Sequence, residues 1–270
     1  MPDISGMRFL VTGGARGIGR TTGLMAAGYG AKVVLSDIVD DEGEAVAEEI
    51  RAAGGEAVYV HCDMTDEKQI EALMPAAAAA FGGIDVLHNN AGVHESQLDA
   101  TQITLETMSL GIFDTMMAIN LRGPWIASKY ALPYLKKSDY ASIINAGSVG
   151  SFLAYPNCTA YAPTKHGIAG LTKALAVDLA QYKIRVNGYC PASINTGMVQ
   201  MYLEAAEDQE AMLKGMTATH LVHRLGEPED VAELVCFLAG REAEFINGTM
   251  VTVDGGSLAW RATVDALGIE

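Results

Sequence analysis

The chain has 270 residues, half of them hydrophobic, and 18 basic against 33 acidic side chains give a formal net charge of −15. A surface this acidic repels nucleic acid and anionic membranes, while a chain of this length can bury roughly three quarters of its unfolded surface in a full core. Its four cysteines, Cys62, Cys158, Cys190 and Cys236, have no paired spacing, so neither a disulfide framework nor a zinc knuckle is suggested.

The start, Met1-Pro2-Asp3, is acidic and lacks an apolar leader, and no apolar run approaches bilayer length. The expectation is a cytoplasmic protein with neither a membrane nor a nucleic-acid partner. A strand is expected over 8–11, and Thr12-Gly13-Gly14-Ala15-Arg16-Gly17-Ile18-Gly19 follows it, leading into a helix over 18–29. Glycine at 13, 17 and 19 lets the backbone turn sharply and approach a pyrophosphate, whose charge meets free amides at the helix N-terminus. An isolated motif of this kind is matched by many ordinary glycine-rich turns. Here a second strand, 32–36, ends in Asp37, eighteen positions after Gly19, where an acceptor for ribose hydroxyls is expected.

Further near-continuous apolar runs at 57–61, 85–89, 142–146, 185–189 and 249–253 suit strands buried on both faces. Amphipathic segments of helical length lie between them, at 41–53, 67–81, 113–137, 159–181 and 229–239. This alternation predicts one domain spanning 1–270: an α/β doubly wound, Rossmann-type fold with a mostly parallel seven-stranded sheet and helices on both faces. Adjacent His61 and Cys62 point to opposite faces of a strand, and His220 and His223 lack a third ligand at a suitable spacing, so no metal site is expected. Segments 93–112 and 192–224 fit the alternation poorly. Both begin at carboxyl ends of strands, where open parallel sheets bind ligands, and they are expected to cover a substrate. The first is polar, with Ser, Thr and Gln, whereas Met198, Met201, Tyr202, Leu203, Met212, Leu213 and Met216 after Thr196, and Phe152, Leu153 and Tyr155 after Ser148, make two covering segments apolar. The same side chains equally suit amphipathic helices packed on the body.

Tyr161 and Lys165 stand four residues apart, so on a helix both reach one ligand. A phenol with an ordinary pKa of about 10 needs about 4 kcal/mol of preferential phenolate stabilisation to work near pH 7. Ser148 follows the strand at 142–146, thirteen residues before Tyr161, and can meet a substrate oxygen from the other side.

Taken in order, Thr12/Gly13/Gly17/Gly19, Asp37, Asp63, Asn89-Asn90-Ala91-Gly92, Asn120, Ser148, Tyr161/Lys165 and Pro191…Thr196 resemble the short-chain dehydrogenase/reductase family over residues 7–256. The resemblance implies that Tyr161 transfers the proton, Lys165 holds the nicotinamide ribose and lowers the Tyr161 pKa, Ser148 orients the substrate oxygen, and Asn120 anchors a relay water. It places Thr12, Gly13, Arg16, Gly17, Ile18 and Gly19 at the cofactor phosphates and Asp37 with Ile38 at the adenosine ribose. Asp63 and Met64 would meet the adenine, and Asn90, Ala91 and Gly92 would line the groove. Pro191, Ile194 and Thr196 would lie at the nicotinamide. NAD is expected over NADP because Asp37 opposes a 2′-phosphate, although Arg16 could attract one. Pro191-Ala192 replaces the family's usual Pro-Gly, so positive φ should be avoided there; Pro163 fits if the helix starts close to Tyr161. A homotetramer and an apolar cyclic or aryl secondary alcohol or ketone are expected. A carrier-linked 3-oxoacyl reductase and a non-catalytic cofactor-binding module are the alternatives.

Overall fold

Runs of Val, Ile and Leu too short for helices and apolar on both sides form seven strands, in a computed structural model that describes residues 2–260. They are β1 (Arg8–Thr12), β2 (Lys32–Asp37), β3 (Glu56–His61), β4 (Val86–Asn89), β5 (Ser142–Ala146), β6 (Arg185–Pro191) and β7 (Met250–Val253). All pair in parallel in the order β3-β2-β1-β4-β5-β6-β7. Successive side chains go to opposite faces, as the strand period of two requires. Phe9, Val11, Val33 and Leu35 enter one core cluster, while Leu10 and Val34 enter the other.

Helices α1 (Gly17–Gly28), α2 (Asp40–Ala52) and α10 (Pro228–Ala239) bury their apolar stripes against the first cluster, and α3 (Glu67–Phe81), α6 (Gly123–Leu135) and α7 (Tyr161–Leu179) against the second. Acids start two of these helices: Asp66 accepts from the Lys68 and Gln69 amides, and Glu227 precedes Pro228 in a capping box. From β1 the chain runs outward to β3, then returns to β4 on the other side of β1. That reversal opens a crevice at the carboxyl ends of β1 and β4, where doubly wound sheets bind ligands.

Three segments differ from expectation. The single helix foreseen over 113–137 is α5 (Leu110–Met117), a five-residue π-helical turn Ala118–Arg122, and α6. Proline is the physical reason: Pro124 has no N–H to give to the Asn120 carbonyl four residues back, so the α ladder cannot run through. Segment 93–112 holds a short α4 (Glu95–Leu98), and 192–224 folds into α8 (Gly197–Ala205) and α9 (Gln209–Thr217). Among the described residues no helix is long and apolar enough to cross a membrane. Part of the C-terminal segment, 261–270, lies outside the described residues.

Candidate active site

The β1–α1 loop is built by close approach. Gly13 has φ +67°, and a Cβ there would lie 2.8 Å from Ala91 Cα; a Cβ on Gly19 would lie 2.0 Å from the Gly13 carbonyl oxygen. Asn90 Nδ2 donates to the Thr12 and Gly13 carbonyls at 3.1 and 3.0 Å, and Thr12 Oγ1 accepts from the Asn90 and Ala91 amides. Asn90 therefore staples the glycine loop to β4 and is itself held by Tyr189 Oη at 3.1 Å, which also meets buried His88 at 2.9 Å. Burial lowers His88 to about 3 and keeps it neutral. The N-terminus of α1 has no side-chain cap, so its amides suit an anionic phosphate. Thr196 approaches the same loop, its Cγ2 3.2 Å from where a Gly17 Cβ would stand.

At the end of β2, Asp37 Oδ2 accepts from the Ala15 amide at 3.0 Å and Oδ1 from the Ile38 and Val39 amides at 2.8 and 3.2 Å. The carboxylate is thereby fixed beside the glycine loop. Arg16 is paired with Glu42 on α2. Asp63 Oδ1 is taken by Thr65, and Met64 is buried with both its Cε and its carbonyl oxygen close to Gly123. Ile194 is likewise buried, bridging to Gly226. Ala192 is not among the described non-glycine residues with positive φ, as its Cβ demands.

Helix α7 begins at Tyr161, which places Pro163 in its first turn, and Tyr161 and Lys165 share a face one turn apart. Lys165 Nζ donates to the Ala146 carbonyl at 2.9 Å and lies 5.5 Å from the Tyr161 ring centroid. Burial lowers Lys165 to about 8. Ser148, just beyond β5, lies close to Tyr161, and its hydroxyl opposes the upward push that burial gives the phenol. Asn120 is buried in the π-helical turn. Its side chain is committed, Oδ1 accepting the Val93 amide at 2.9 Å and Nδ2 reaching the Val93 carbonyl at 2.8 Å and Thr164 Oγ1 at 3.3 Å. Any relay water falls to its backbone carbonyl, which Pro124 leaves without the usual helical donor.

Sequence reasoning missed Glu95. Fully buried, it accepts the Ala160 and Tyr161 amides at Oε1, 2.9 and 2.7 Å away, and so caps α7 from sixty-six positions upstream of Tyr161. The available signal was negative: Ala160, just before the helix, has no capping side chain. His94 Nε2 lies 3.3 Å from both Glu95 Oε2 and Cys158 Sγ, and the imidazole packs on Tyr161 with ring centroids 4.9 Å apart. These three residues bring metal-ligand atoms within 4.8 Å of one another. Oε1 is committed to the helix amides and His94 Nδ1 to Tyr202, while buried Glu95 Oε2 has no hydrogen-bond partner among the described residues; the three side chains pack behind the start of α7.

Above Ser148 and Tyr161 opens a cavity of about 890 Å³. Of the expected covering side chains, Tyr155, Met198, Tyr202, Met212 and Met216 line it; Phe152, Leu153, Met201, Leu203 and Leu213 do not. Helices α8 and α9 each give apolar side chains to this cavity, and His94, Ser96 and Ile103 of segment 93–112 border it as well.

Residues 13–257 match the family described as "Enoyl-(Acyl carrier protein) reductase". A 2,5-dichloro-2,5-cyclohexadiene-1,4-diol dehydrogenase of Sphingobium indicum is 35% identical over 96% of this chain and 100% of its own. Among solved structures, levodione reductase superposes with a TM-score of 0.89 at 32% identity, covering 95% of this chain and 100% of that one. Thermoplasma acidophilum aldohexose dehydrogenase gives 0.85 at 34% identity, covering 96% and 97%. The matches span the glycine loop, the Ser148–Tyr161–Lys165 edge and the cover alike, and the chain belongs to the short-chain dehydrogenase/reductase family.

Proposed function

We propose that the chain is an NAD-dependent dehydrogenase that interconverts a secondary alcohol and its ketone on an apolar cyclic or aryl substrate. One observation carries the reading: Ser148, Tyr161 and buried Lys165 converge under a cavity walled by Met198, Met212, Met216 and Tyr155. The backbone of residues 13–19 and the Asp37 carboxylate would hold the cofactor, which supplies the hydride acceptor or donor. Tyr161 then takes or returns the hydroxyl proton, Ser148 holds the substrate oxygen, and Lys165 stabilises the phenolate. The backbone carbonyl of Asn120 would anchor the water that links Lys165 to solvent.

NAD is favoured over NADP because Asp37 is fixed beside the loop and Arg16, the one cation in that loop, is already paired with Glu42. A cyclic substrate is supported by the diol dehydrogenase relative, and a ketone reductase direction by levodione reductase. A homotetramer is supported by large apolar side chains exposed on α5, α6 and α7, among them Phe113, Trp125 and Val177. Carrier-linked reduction is the second reading, favoured by the description of the matched family; the net charge of −15 counts against it, since an acidic carrier is repelled by an acidic surface.

The test is NADH formation across cyclohexanol, 1-phenylethanol and an aldohexose, beside a carrier-linked 3-oxoacyl assay. Preference for the first two supports the reading. Preference for the aldohexose or the carrier-linked substrate defeats it.

A further inference from the structure

The polar groups of the cavity are gathered at two places. One is Ser148 with Tyr161. The other lies at Tyr202 on α8, whose Oη is 2.6 Å from both His94 Nδ1 and Ser96 Oγ, these last two being 3.1 Å apart. All five side chains line the same cavity.

The hydrogen-bonding capacity of the second group can be counted. Burial holds the His94 imidazole below its ordinary pKa, so it is neutral near pH 7 and carries one N–H. Nε2 faces the Glu95 carboxylate oxygen and the Cys158 sulfur, which assigns the proton there and leaves Nδ1 a single bare lone pair. The Ser96 backbone amide donates to that lone pair at 3.3 Å, and the hydroxyls of Tyr202 and Ser96 also compete for it. One donates to it and the other donates to its neighbour's oxygen, so the pair retains unused oxygen lone pairs beside the cavity. It can accept a bond from a ligand hydroxyl, or rotate to donate to a ligand carbonyl.

Charge narrows the choice. No Lys or Arg is among the described residues lining the cavity, whereas Glu207 and Asp208 are, and Glu95 stands behind His94. A carboxylate placed at this group would face acids with no cation to balance it. A neutral oxygen meets no such penalty, and a ring lacking one leaves the unused oxygen lone pairs of this group without a ligand partner.

We propose that His94, Ser96 and Tyr202 form a second polar pole that selects ring substrates carrying a second, neutral oxygen, such as a cyclic diol, hydroxyketone or dione. The proposal rests on the cyclic-alcohol reading above and adds to it a specificity set by three residues outside the Ser148–Tyr161–Lys165 group. Because Tyr202 belongs to the cover, a ligand held at this pole also holds α8 down over the cavity.

The experiment compares kcat/KM for trans-cyclohexane-1,4-diol, cyclohexanol and trans-4-hydroxycyclohexanecarboxylate at saturating NAD, in the wild type, Ser96→Ala, Tyr202→Phe and the double variant. In the wild type the diol should exceed cyclohexanol about tenfold or more, of which only about twofold comes from its two equivalent hydroxyls. The carboxylate should fall below cyclohexanol. The diol-to-cyclohexanol ratio, from which any shared loss cancels, should drop at least about fivefold in the double variant; if that variant does not fold, the single variants carry the comparison. A wild-type ratio of about two or less, a ratio unchanged by the substitutions, or preference for the carboxylate overturns the pole while leaving cyclic-alcohol oxidation in place. Failure to oxidise either the diol or cyclohexanol, with an aldohexose turned over, overturns the reading beneath it as well.

Discussion

The Glu95 carboxylate accepts the backbone amide of Tyr161 at 2.7 Å although the two residues are sixty-six positions apart. One oxygen thus ties the start of α7 to the segment that follows β4, and His94, the neighbour of Glu95, packs on the Tyr161 ring. The phenol's position is set by a chain connection as well as by its own helix. Glu95→Ala should cost about 1–3 kcal/mol of stability by leaving two amides uncapped in a buried place, and kcat should fall with it. Glu95→Gln keeps an acceptor oxygen and should recover most of the stability. Urea denaturation of the two variants checks this: equal losses would show that the oxygen acceptor is not what matters.

Tyr161→Phe removes the transferable proton and little surface. Turnover should fall on the order of a hundredfold or more, while NADH binding, read by fluorescence titration, stays close to wild type. A variant retaining more than about a hundredth of wild-type kcat would place the acid–base work on another group.

The preference for NAD should depend on two acids. Asp37→Ser removes the charge that opposes a 2′-phosphate, a repulsion of roughly 4 kcal/mol at ~4 Å and an effective dielectric near 20 before relaxation. Glu42→Gln breaks the pair that occupies Arg16 and frees its guanidinium for a phosphate. Both substitutions should lower the NAD-to-NADP ratio of kcat/KM, Asp37→Ser the more, since Arg16 and Glu42 are exposed and screened. A ratio near one in the wild type would refute the assignment.

Gly19→Ala tests the loop by shape alone. Its Cβ would stand 2.0 Å from the Gly13 carbonyl oxygen and 2.5 Å from Asn90 Nδ2, so the loop must open. Cofactor affinity should fall at least about tenfold. Gly28, at the other end of α1, meets nothing within 4 Å, and Gly28→Ala serves as the control with affinity unchanged.

What could be read from the sequence was what repeats or stays local. Strands β1 to β7 announce themselves because burial on both faces demands unbroken apolar runs, and residues 13–19, 37, 148, 161 and 165 because turn geometry and helix spacing are local constraints. The break at Ala118–Arg122 was legible in principle from Gly123-Pro124, but strong apolar periodicity on both sides masked it. Glu95 and the His94–Tyr202 contact were not legible. Their partners lie sixty-four or more positions away, and nothing in a lone His-Glu-Ser names the helix it will cap or the cover it will touch.

Lys165 offers a test that does not require turnover. Burial lowers its pKa to about 8 from the ordinary 10.5, and the sign follows from proton counting. Below about pH 8 the lysine is charged in both folded and unfolded chains, so its contribution to the pH dependence is flat. Between about 8 and 10.5 the folded state has released the proton while the unfolded state still holds it, and stability rises with pH wherever the unfolded state binds more protons. The gap corresponds to about 3 kcal/mol across that window. Lys165→Met carries no such group, so its stability advantage over wild type should be greatest near pH 7 and shrink steadily toward pH 10. Urea melts of both proteins at intervals across that range measure the difference directly. Parallel curves would mean that Lys165 keeps its ordinary pKa in the fold, and that the enclosure of the Tyr161–Lys165 pair described above does not desolvate the ammonium.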